Sequence, residues 1–190
     1  MTLKTKICGI TTVDDYLTCC EAGATWVGMV HYPGSARHLD ISALARLASY
    51  SAAKTKVAPS RVLLSVNMVD DDLAPLVAAA RPNMLQLHGE ETPEDVSVIK
   101  ARFGLPIIKG IAVETLNDLD QCTKWDSLAD WLLFDAKAKH GSQPGGTGHS
   151  FDWSILKSYR GRLPWILAGG LDSKNVSSAI DISGAEAVDV

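Results

Sequence analysis

Residues 61–88 read RVLLSVNMVDDDLAPLVAAARPNMLQLH and contain the pattern from which the fold can be predicted. The run at 61–66 is short and mostly apolar, as expected for a strand that is covered on both faces. Asp70 then begins a helix that ends before Pro82, and a second apolar run follows at 83–88. The order strand, helix, strand predicts a βαβ unit with two parallel strands, because a helical crossover returns the chain to the same edge of the sheet.

The same unit repeats along the chain. Strands are predicted at 4–8, 25–30, 61–66, 83–88, 105–111, 130–135, 164–170 and 186–190. Helices are predicted from Thr11 or Thr12 to Gly23, and over 40–53, 70–81, 92–103, 114–122, 152–159 and 172–180. Eight short units favour a single-domain (β/α)8 TIM barrel over residues 1–190 rather than an open α/β sheet. The sequence ends on strand eight without the eighth helix that would cover strands eight and one, so we expect that a tail is missing.

Composition excludes several classes of protein. The net charge is −4, and no block of lysine and arginine exists that could neutralise nucleic-acid phosphates. The N-terminus lacks the apolar region of a signal peptide, and no apolar run approaches the ~18 residues of a membrane span. Four cysteines without a CxxC pair argue against a disulfide scaffold and structural zinc. We expect a cytoplasmic monomer or homodimer with no nucleic-acid or membrane partner.

Polar residues gather where the predicted strands end. They are Cys8, Arg37, Asn67, His88, Lys109, Asp135, the pair Gly169 and Gly170, and Asp189. Active sites of (β/α)8 barrels lie at the carboxyl ends of the strands, so these residues are the candidates for function. Asp135 ends a strand whose preceding residues are all apolar, as in a buried core. Desolvation there favours the neutral acid, which can give a proton. A loop-anchoring aspartate is the alternative, just as Cys8 can be a buried structural cysteine.

Eight short segments resemble the phosphoribosylanthranilate isomerase family of tryptophan biosynthesis. They are KICGIT at 6–11, VNM at 66–68, LQLHGEET at 85–92, LPIIK at 105–109, LLFDAK with GGTG between 132 and 148, LAGGLDSKNV at 167–176, and AVDV at 187–190. The resemblance runs in register from Lys6 to Val190. It implies a TIM barrel enzyme that performs an Amadori rearrangement on a phosphosugar carrying anthranilate. The family continues past VDV into a loop that helps to hold phosphate, and this sequence lacks that loop.

The resemblance also implies roles for individual residues. Cys8 would be the general base that takes a proton from C2 of the sugar, and Asp135 the general acid that protonates the ring oxygen. Arg37 would bind the anthranilate carboxylate through its planar guanidinium, although a surface arginine is the alternative. His88 would line the substrate site, although a structural, hydrogen-bonded histidine fits as well.

Phosphate is expected at glycine-rich backbone. Thr147, Gly148, Gly169 and Gly170 are the candidates, because glycine lets N–H groups approach an anion and barrels often hold phosphate at loops seven and eight. The second pair is expected to precede a helix whose N-terminus favours an anion. The long loop 135–151 is expected to cover the sugar as a lid. No metal and no cofactor is expected, because carboxylates and histidines do not cluster in the sequence.

Two alternatives stay open at this point. The first is another phosphosugar barrel, such as indole-glycerol-phosphate synthase, in which Lys109 would be the catalytic lysine but no matching glutamate is apparent, or a pentose-phosphate epimerase, which would favour a metal cluster. The second is a non-catalytic metabolite-binding barrel, against which the presence of both Cys8 and Asp135 argues.

Overall fold

The computed structural model describes residues 2–51, 58–137 and 150–190. Eight strands in this part of the chain close into one parallel barrel in sequence order, which confirms the predicted (β/α)8 fold. The strands are β1 Lys4–Cys8, β2 Trp26–His31, β3 Ser60–Ser65, β4 Met84–Leu87, β5 Ile107–Val113, β6 Trp131–Ala136, β7 Trp165–Leu167 and β8 Ala187–Asp189. Closure is made by β8 pairing with β1, where Lys6 lies opposite Asp189.

Five α-helices cover the barrel in the described residues. They are α1 Val13–Glu21, α2 Ile41–Ser51, α3 Asp70–Ala80, α4 Pro93–Phe103 and α5 Val176–Ser183. Capping boxes begin α1 at Thr12 and α4 at Thr92, where each threonine side chain accepts from the third helical N–H. None of the helices described is long and apolar enough to span a membrane.

Three of the predicted helices are wrong in type or start. The segment 114–122 forms two 3-10 turns, Leu116–Leu119 and Cys122–Trp125, because its buried residues Leu119, Cys122 and Trp125 recur at the three-residue period of a 3-10 helix. The segment 152–159 is a 3-10 helix, Trp153–Ser158, begun by the Asp152 side chain. The helix expected from Asp172 begins at Val176 instead, because Asp172 Oδ1 accepts from Lys174 and Asn175.

The core is divided by the barrel wall. One apolar cluster fills the barrel interior and consists of Trp26, Val62, Met84, Ile108, Leu133, Ile166, Ala168 and Ala187. A larger cluster lies between the strands and the helices. Since successive side chains of a strand point to opposite faces, the residues of the interior face can be followed upward to the carboxyl ends of the strands. There the apolar filling stops, and polar side chains take its place.

Candidate active site

A cavity of about 530 Å³ opens at the carboxyl ends of the strands. Its lining includes Cys8 of β1, Arg37 of the loop after β2, Gln86 and His88 of β4 and its end, Asp135 of β6, Gly169 and Gly170 after β7, and Asp189 of β8. The structure thus brings together six of the eight site residues predicted from sequence. The other two, Thr147 and Gly148, lie outside the described residues, as does most of the proposed lid at 135–151.

Cys8 faces the barrel interior at the end of β1. It pairs in register with Gly28 of β2, and a Cβ atom on Gly28 would lie only 2.9 Å from Cys8 Sγ. Burial raises the pKa of the Cys8 thiol above its ordinary value, while the positive charges of Lys6 and Arg37 act to lower it. The thiol is therefore mostly protonated at neutral pH, and the two cations are what favour its thiolate form.

Asp135 is held by a chain of three side chains. Gln86 Nε2 lies 3.1 Å from His88 Nδ1, and because an amide nitrogen can only donate, the ring proton belongs on Nε2. His88 Nε2 then donates to Asp135 Oδ2 at 3.2 Å, and Asp135 Oδ1 accepts from the N–H of Ala136 at 2.8 Å. Both carboxylate oxygens are thereby fixed in orientation at the cavity wall opposite β1.

Arg37 bridges two loops at the cavity mouth. Its Nη1 donates to the carbonyl oxygen of Cys8 at 2.6 Å, and its backbone N–H donates to Ser35 Oγ at 3.1 Å. The aliphatic part of the Arg37 side chain packs on Gly9, where an added Cβ atom would overlap Arg37 Cδ. A guanidinium carries five N–H donors in a fixed fork, so donors beyond the one on Cys8 can meet a carboxylate in the cavity.

The glycine pair after β7 has the left-handed backbone that glycine favours. Gly169 has a φ of 88° and Gly170 a φ of 64°. A Cβ atom on Gly169 would lie 2.7 Å from the backbone nitrogen of Ala136 and 3.2 Å from Asp135 Oδ1. The close packing of the β7 loop against the end of β6 therefore requires glycine here. Because α5 begins only at Val176, its N-terminus does not directly follow this pair, in contrast to the sequence-based expectation.

Two interior residues escaped the sequence-based site prediction. Lys6 is completely buried, and its Nζ donates to Asp189 Oδ1 at 3.0 Å and Oδ2 at 2.9 Å. Gln86 is 1% exposed and orients His88 as described above. Both lie within strands rather than after them. The only signal in the sequence is that Lys6 lies two residues before Cys8 and Gln86 two residues before His88, which places each on the same strand face as its neighbour.

Lys109 lies outside the cavity. It alternates with Ile108 and Gly110 of the interior face, so its side chain points into the layer between barrel and helices. Its Nζ bonds Glu91 Oε2 at 2.9 Å and the carbonyl oxygen of Gly89 at 2.8 Å, and both members of the ion pair are buried. Lys109 therefore stabilises the loop after β4 through these contacts. It does not face the cavity, so it cannot be the catalytic lysine that the synthase alternative requires.

Comparison with known proteins agrees with this geometry. The family model for N-(5'phosphoribosyl)anthranilate (PRA) isomerase matches residues 5–190. A curated N-(5'-phosphoribosyl)anthranilate isomerase from Beijerinckia indica is 45% identical over all of this chain and 84% of its own length, and one from Rhodopseudomonas palustris is 43% identical over all of this chain and 88% of its own.

Solved structures lead to the same family. The phosphoribosyl anthranilate isomerase of Thermotoga maritima superposes with a TM-score of 0.84 at 32% identity, covering 100% of this chain and 87% of the other. A phosphoribosyl anthranilate isomerase in complex with reduced 1-(o-carboxyphenylamino)-1-deoxyribulose 5-phosphate superposes with a TM-score of 0.81 at 32% identity and the same coverage. The barrel, the residues around its cavity and these similarities together place the chain in the N-(5'-phosphoribosyl)anthranilate isomerase family.

Proposed function

We propose that this protein isomerises N-(5-phosphoribosyl)anthranilate to 1-(2-carboxyphenylamino)-1-deoxyribulose 5-phosphate. The observation that carries the proposal is that Cys8 and Asp135, on strands β1 and β6, line the same cavity of a barrel from this family. The rearrangement needs one group that gives a proton and one that takes a proton, on opposite sides of the sugar. A thiol and a carboxyl group across a cavity meet that requirement.

The first step opens the ribose ring. Asp135 gives a proton to the ring oxygen while the bond between that oxygen and C1 breaks and the anthranilate nitrogen forms a double bond to C1. His88 Nε2 donates to Asp135 Oδ2, so it holds the carboxyl group in place for this transfer. The hydrogen bond from Ala136 fixes the other oxygen.

The second step moves the double bond. The Cys8 thiolate removes the proton from C2, the electron pair forms a C1–C2 double bond, and the nitrogen regains its electron pair while keeping the hydrogen that it already carries. The resulting enolamine then tautomerises to the ketone at C2, with no net gain or loss of atoms. Lys6 and Arg37 are the cations that favour a thiolate at Cys8 in this role.

The two charged ends of the substrate have candidate sites in the same cavity. The Arg37 guanidinium matches the anthranilate carboxylate, because a planar fork can donate two parallel hydrogen bonds. The backbone of Gly169 and Gly170 is the candidate for the 5'-phosphate, together with Thr147 and Gly148 outside the described residues. Binding at both ends would place C2 and the ring oxygen between Cys8 and Asp135.

We also propose that the protein works in the cytoplasm as a monomer or homodimer. Four free cysteines in the described residues fit a reducing compartment. Sedimentation of the purified protein would decide between the two assemblies.

The test is incubation with freshly prepared phosphoribosylanthranilate, followed by the decay of its fluorescence. The protein should accelerate the decay far above the spontaneous rate. Cys8→Ser and Asp135→Asn keep the shapes of the side chains but remove the base and the transferable proton, so each should lower turnover by about 10²–10⁴-fold. A wild-type protein that is folded by circular dichroism and gives only the spontaneous rate would contradict the proposed function.

A further inference from the structure

We propose that Lys6 is a positioning residue that stabilises the thiolate of Cys8, and that Asp189 holds its ammonium group in place. The inference rests on the proposed function, since it explains how Cys8 becomes a base. Lys6 does not reach the substrate in this proposal. It acts through the sulfur atom beside it.

The geometry brings the ammonium and the thiol together. Lys6 and Cys8 are two residues apart on β1, so both side chains lie on the interior face of the barrel. A Cβ atom on Gly28 would lie 2.9 Å from Cys8 Sγ and 3.2 Å from Lys6 Nζ. The two atoms therefore border the same small space on β2, and the absence of a side chain at Gly28 leaves that space open to them.

Burial of the pair is hard to explain by stability alone. The Lys6 side chain is 0% exposed and that of Asp189 only 9%, and their ion pair sits above an apolar barrel interior. Taking two ions out of water costs free energy that their attraction often fails to recover, and apolar residues of similar size would fill the same volume. The ammonium group also has three donors, so it can bond both carboxylate oxygens and still turn one N–H towards sulfur.

Three charged groups face the thiol from the surrounding elements. Lys6 lies on the same strand, Asp189 on β8, and Arg37 on the loop after β2. Among them, the Lys6 ammonium lowers the pKa of the Cys8 thiol most, and the Asp189 carboxylate raises it. Loss of the ammonium and loss of the carboxylate must therefore move the titration of Cys8 in opposite directions. A pair that does not act on the thiol would shift its titration in neither direction.

The experiment measures the pH dependence of alkylation at Cys8. The full chain and its variants are treated with iodoacetamide over a range of pH, and the modified peptides are quantified by mass spectrometry. Lys6→Met should raise the midpoint of Cys8 alkylation and Asp189→Asn should lower it, each by about one pH unit or more, as expected for a charge close to a titrating group. Cys20, which is half-buried on α1, is the internal control, and its midpoint should stay constant.

A second comparison protects the test against a variant that does not fold. Lys6→Met leaves Asp189 buried without its partner, whereas the double variant Lys6→Met/Asp189→Asn carries no charge at either position. The double variant should have a higher midpoint at Cys8 than Asp189→Asn alone, because only the ammonium differs between them. Equal midpoints in these two proteins, or shifts of the same sign in the two single variants, would overturn the proposal.

Alkylation needs no turnover, so this test is independent of the isomerase assay. The expected shifts in a protein that does not isomerise phosphoribosylanthranilate would support the role of Lys6 and contradict the proposed function. Normal isomerisation without the shifts would support the proposed function and overturn the role of Lys6.

Discussion

Arg37 is the residue that joins the cavity mouth to the end of β1, through its hydrogen bond to the carbonyl oxygen of Cys8. If it also binds the anthranilate carboxylate, Arg37→Ala should weaken substrate binding by about 1.5–3 kcal/mol, the range for hydrogen bonds to a charged group. Steady-state kinetics should show this as a raised KM with a smaller effect on kcat. Arg37→Lys keeps the positive charge but loses the planar fork of donors, so its KM should lie between that of the wild type and that of Arg37→Ala. A fall in kcat at unchanged KM would place Arg37 in the chemistry instead.

The titration of Cys8 makes a prediction about pH. Burial raises the pKa of the Cys8 thiol above its ordinary value of 9.0, and in the proposed reaction only the thiolate can take a proton from the substrate. The thiolate fraction therefore increases with pH. In the wild type the need for a protonated Asp135 opposes this rise, so the Asp135→Asn variant, whose residue 135 carries no acid, is the protein in which the base can be followed alone. Its residual kcat/KM should rise by about tenfold per pH unit from neutral pH to above that value. The double variant Cys8→Ser/Asp135→Asn has no thiol at this position and should lose the rise. A flat profile of Asp135→Asn across this range would exclude Cys8 as the base.

Sequence reasoning found the residues at strand ends and missed those within strands. Asp135 was accessible because a polar residue after an apolar run is conspicuous, and the strand ends of a barrel are known to face one opening. Cys8 was singled out only by the resemblance of KICG to the family. Lys6 and Gln86 were not accessible in this way. Their side chains are buried only because the barrel closes around them, and the partner of Lys6 lies 183 residues away in the sequence. No local pattern announces such a pair.

Among the connections between strands, the loop after β7 packs at Gly169 against the end of β6, beside the carboxylate of Asp135. Gly169→Ala places a methyl group 2.7 Å from the backbone nitrogen of Ala136, at a φ of 88°. We expect it to displace the end of β6 and to lower kcat. Gly184→Ala is the matched control, because Gly184 also has a positive φ, 76°, but has nothing within 4 Å of the added atom.

Comparison of the two variants separates strain from displacement. Each should lose about 1–3 kcal/mol of unfolding free energy from backbone strain, measured by chemical denaturation. Only Gly169→Ala should also lose activity under conditions in which both variants are folded. Equal activities would show that Asp135 does not depend on the close packing of the β7 loop.

Strands were predicted from the sequence better than helices, for a physical reason. An apolar run of five or six residues identifies a strand that is buried on both faces, and all eight predicted strands correspond to observed ones. Helix predictions used apolar spacing and helix-starting residues, and they failed for three segments that begin as tight turns. The Asp152 and Asp172 side chains accept from nearby backbone N–H groups and fix such a turn, whereas Leu119, Cys122 and Trp125 are buried at the three-residue period of a 3-10 helix. A three-residue spacing also fits an α-helix, and the sequence does not show which side chains bond the backbone.

Ligand binding should stabilise the whole barrel, because the cavity exists only when the strands and loops that line it are assembled. Its lining includes residues from strands β1, β4, β6 and β8. The proposed function predicts that reduced 1-(o-carboxyphenylamino)-1-deoxyribulose 5-phosphate, the analogue of the product, binds the folded protein and does not bind the unfolded chain. At a hundred times its Kd it should add about 2.7 kcal/mol of stability. For a chain of this size that corresponds to a rise in Tm of about 5–10 °C in calorimetry.

Inorganic phosphate is the control for this measurement, since it can occupy only one end of the site and should raise Tm less. Arg37→Ala should reduce the effect of the analogue. An unchanged Tm at saturating analogue would mean that the cavity does not bind the product of the proposed reaction.

The pairing of β8 with β1 joins the first strand to be synthesised with the last. During synthesis Lys6 emerges from the ribosome 183 residues before Asp189, the residue that neutralises it. At about 5–20 residues per second the interval is about ten to forty seconds. Throughout it, Cys8 and its neighbouring ammonium have been made, but the strand that completes their surroundings has not. One edge of β1 therefore stays unpaired until β8 has been made, and the surroundings proposed to make Cys8 a base are assembled only then.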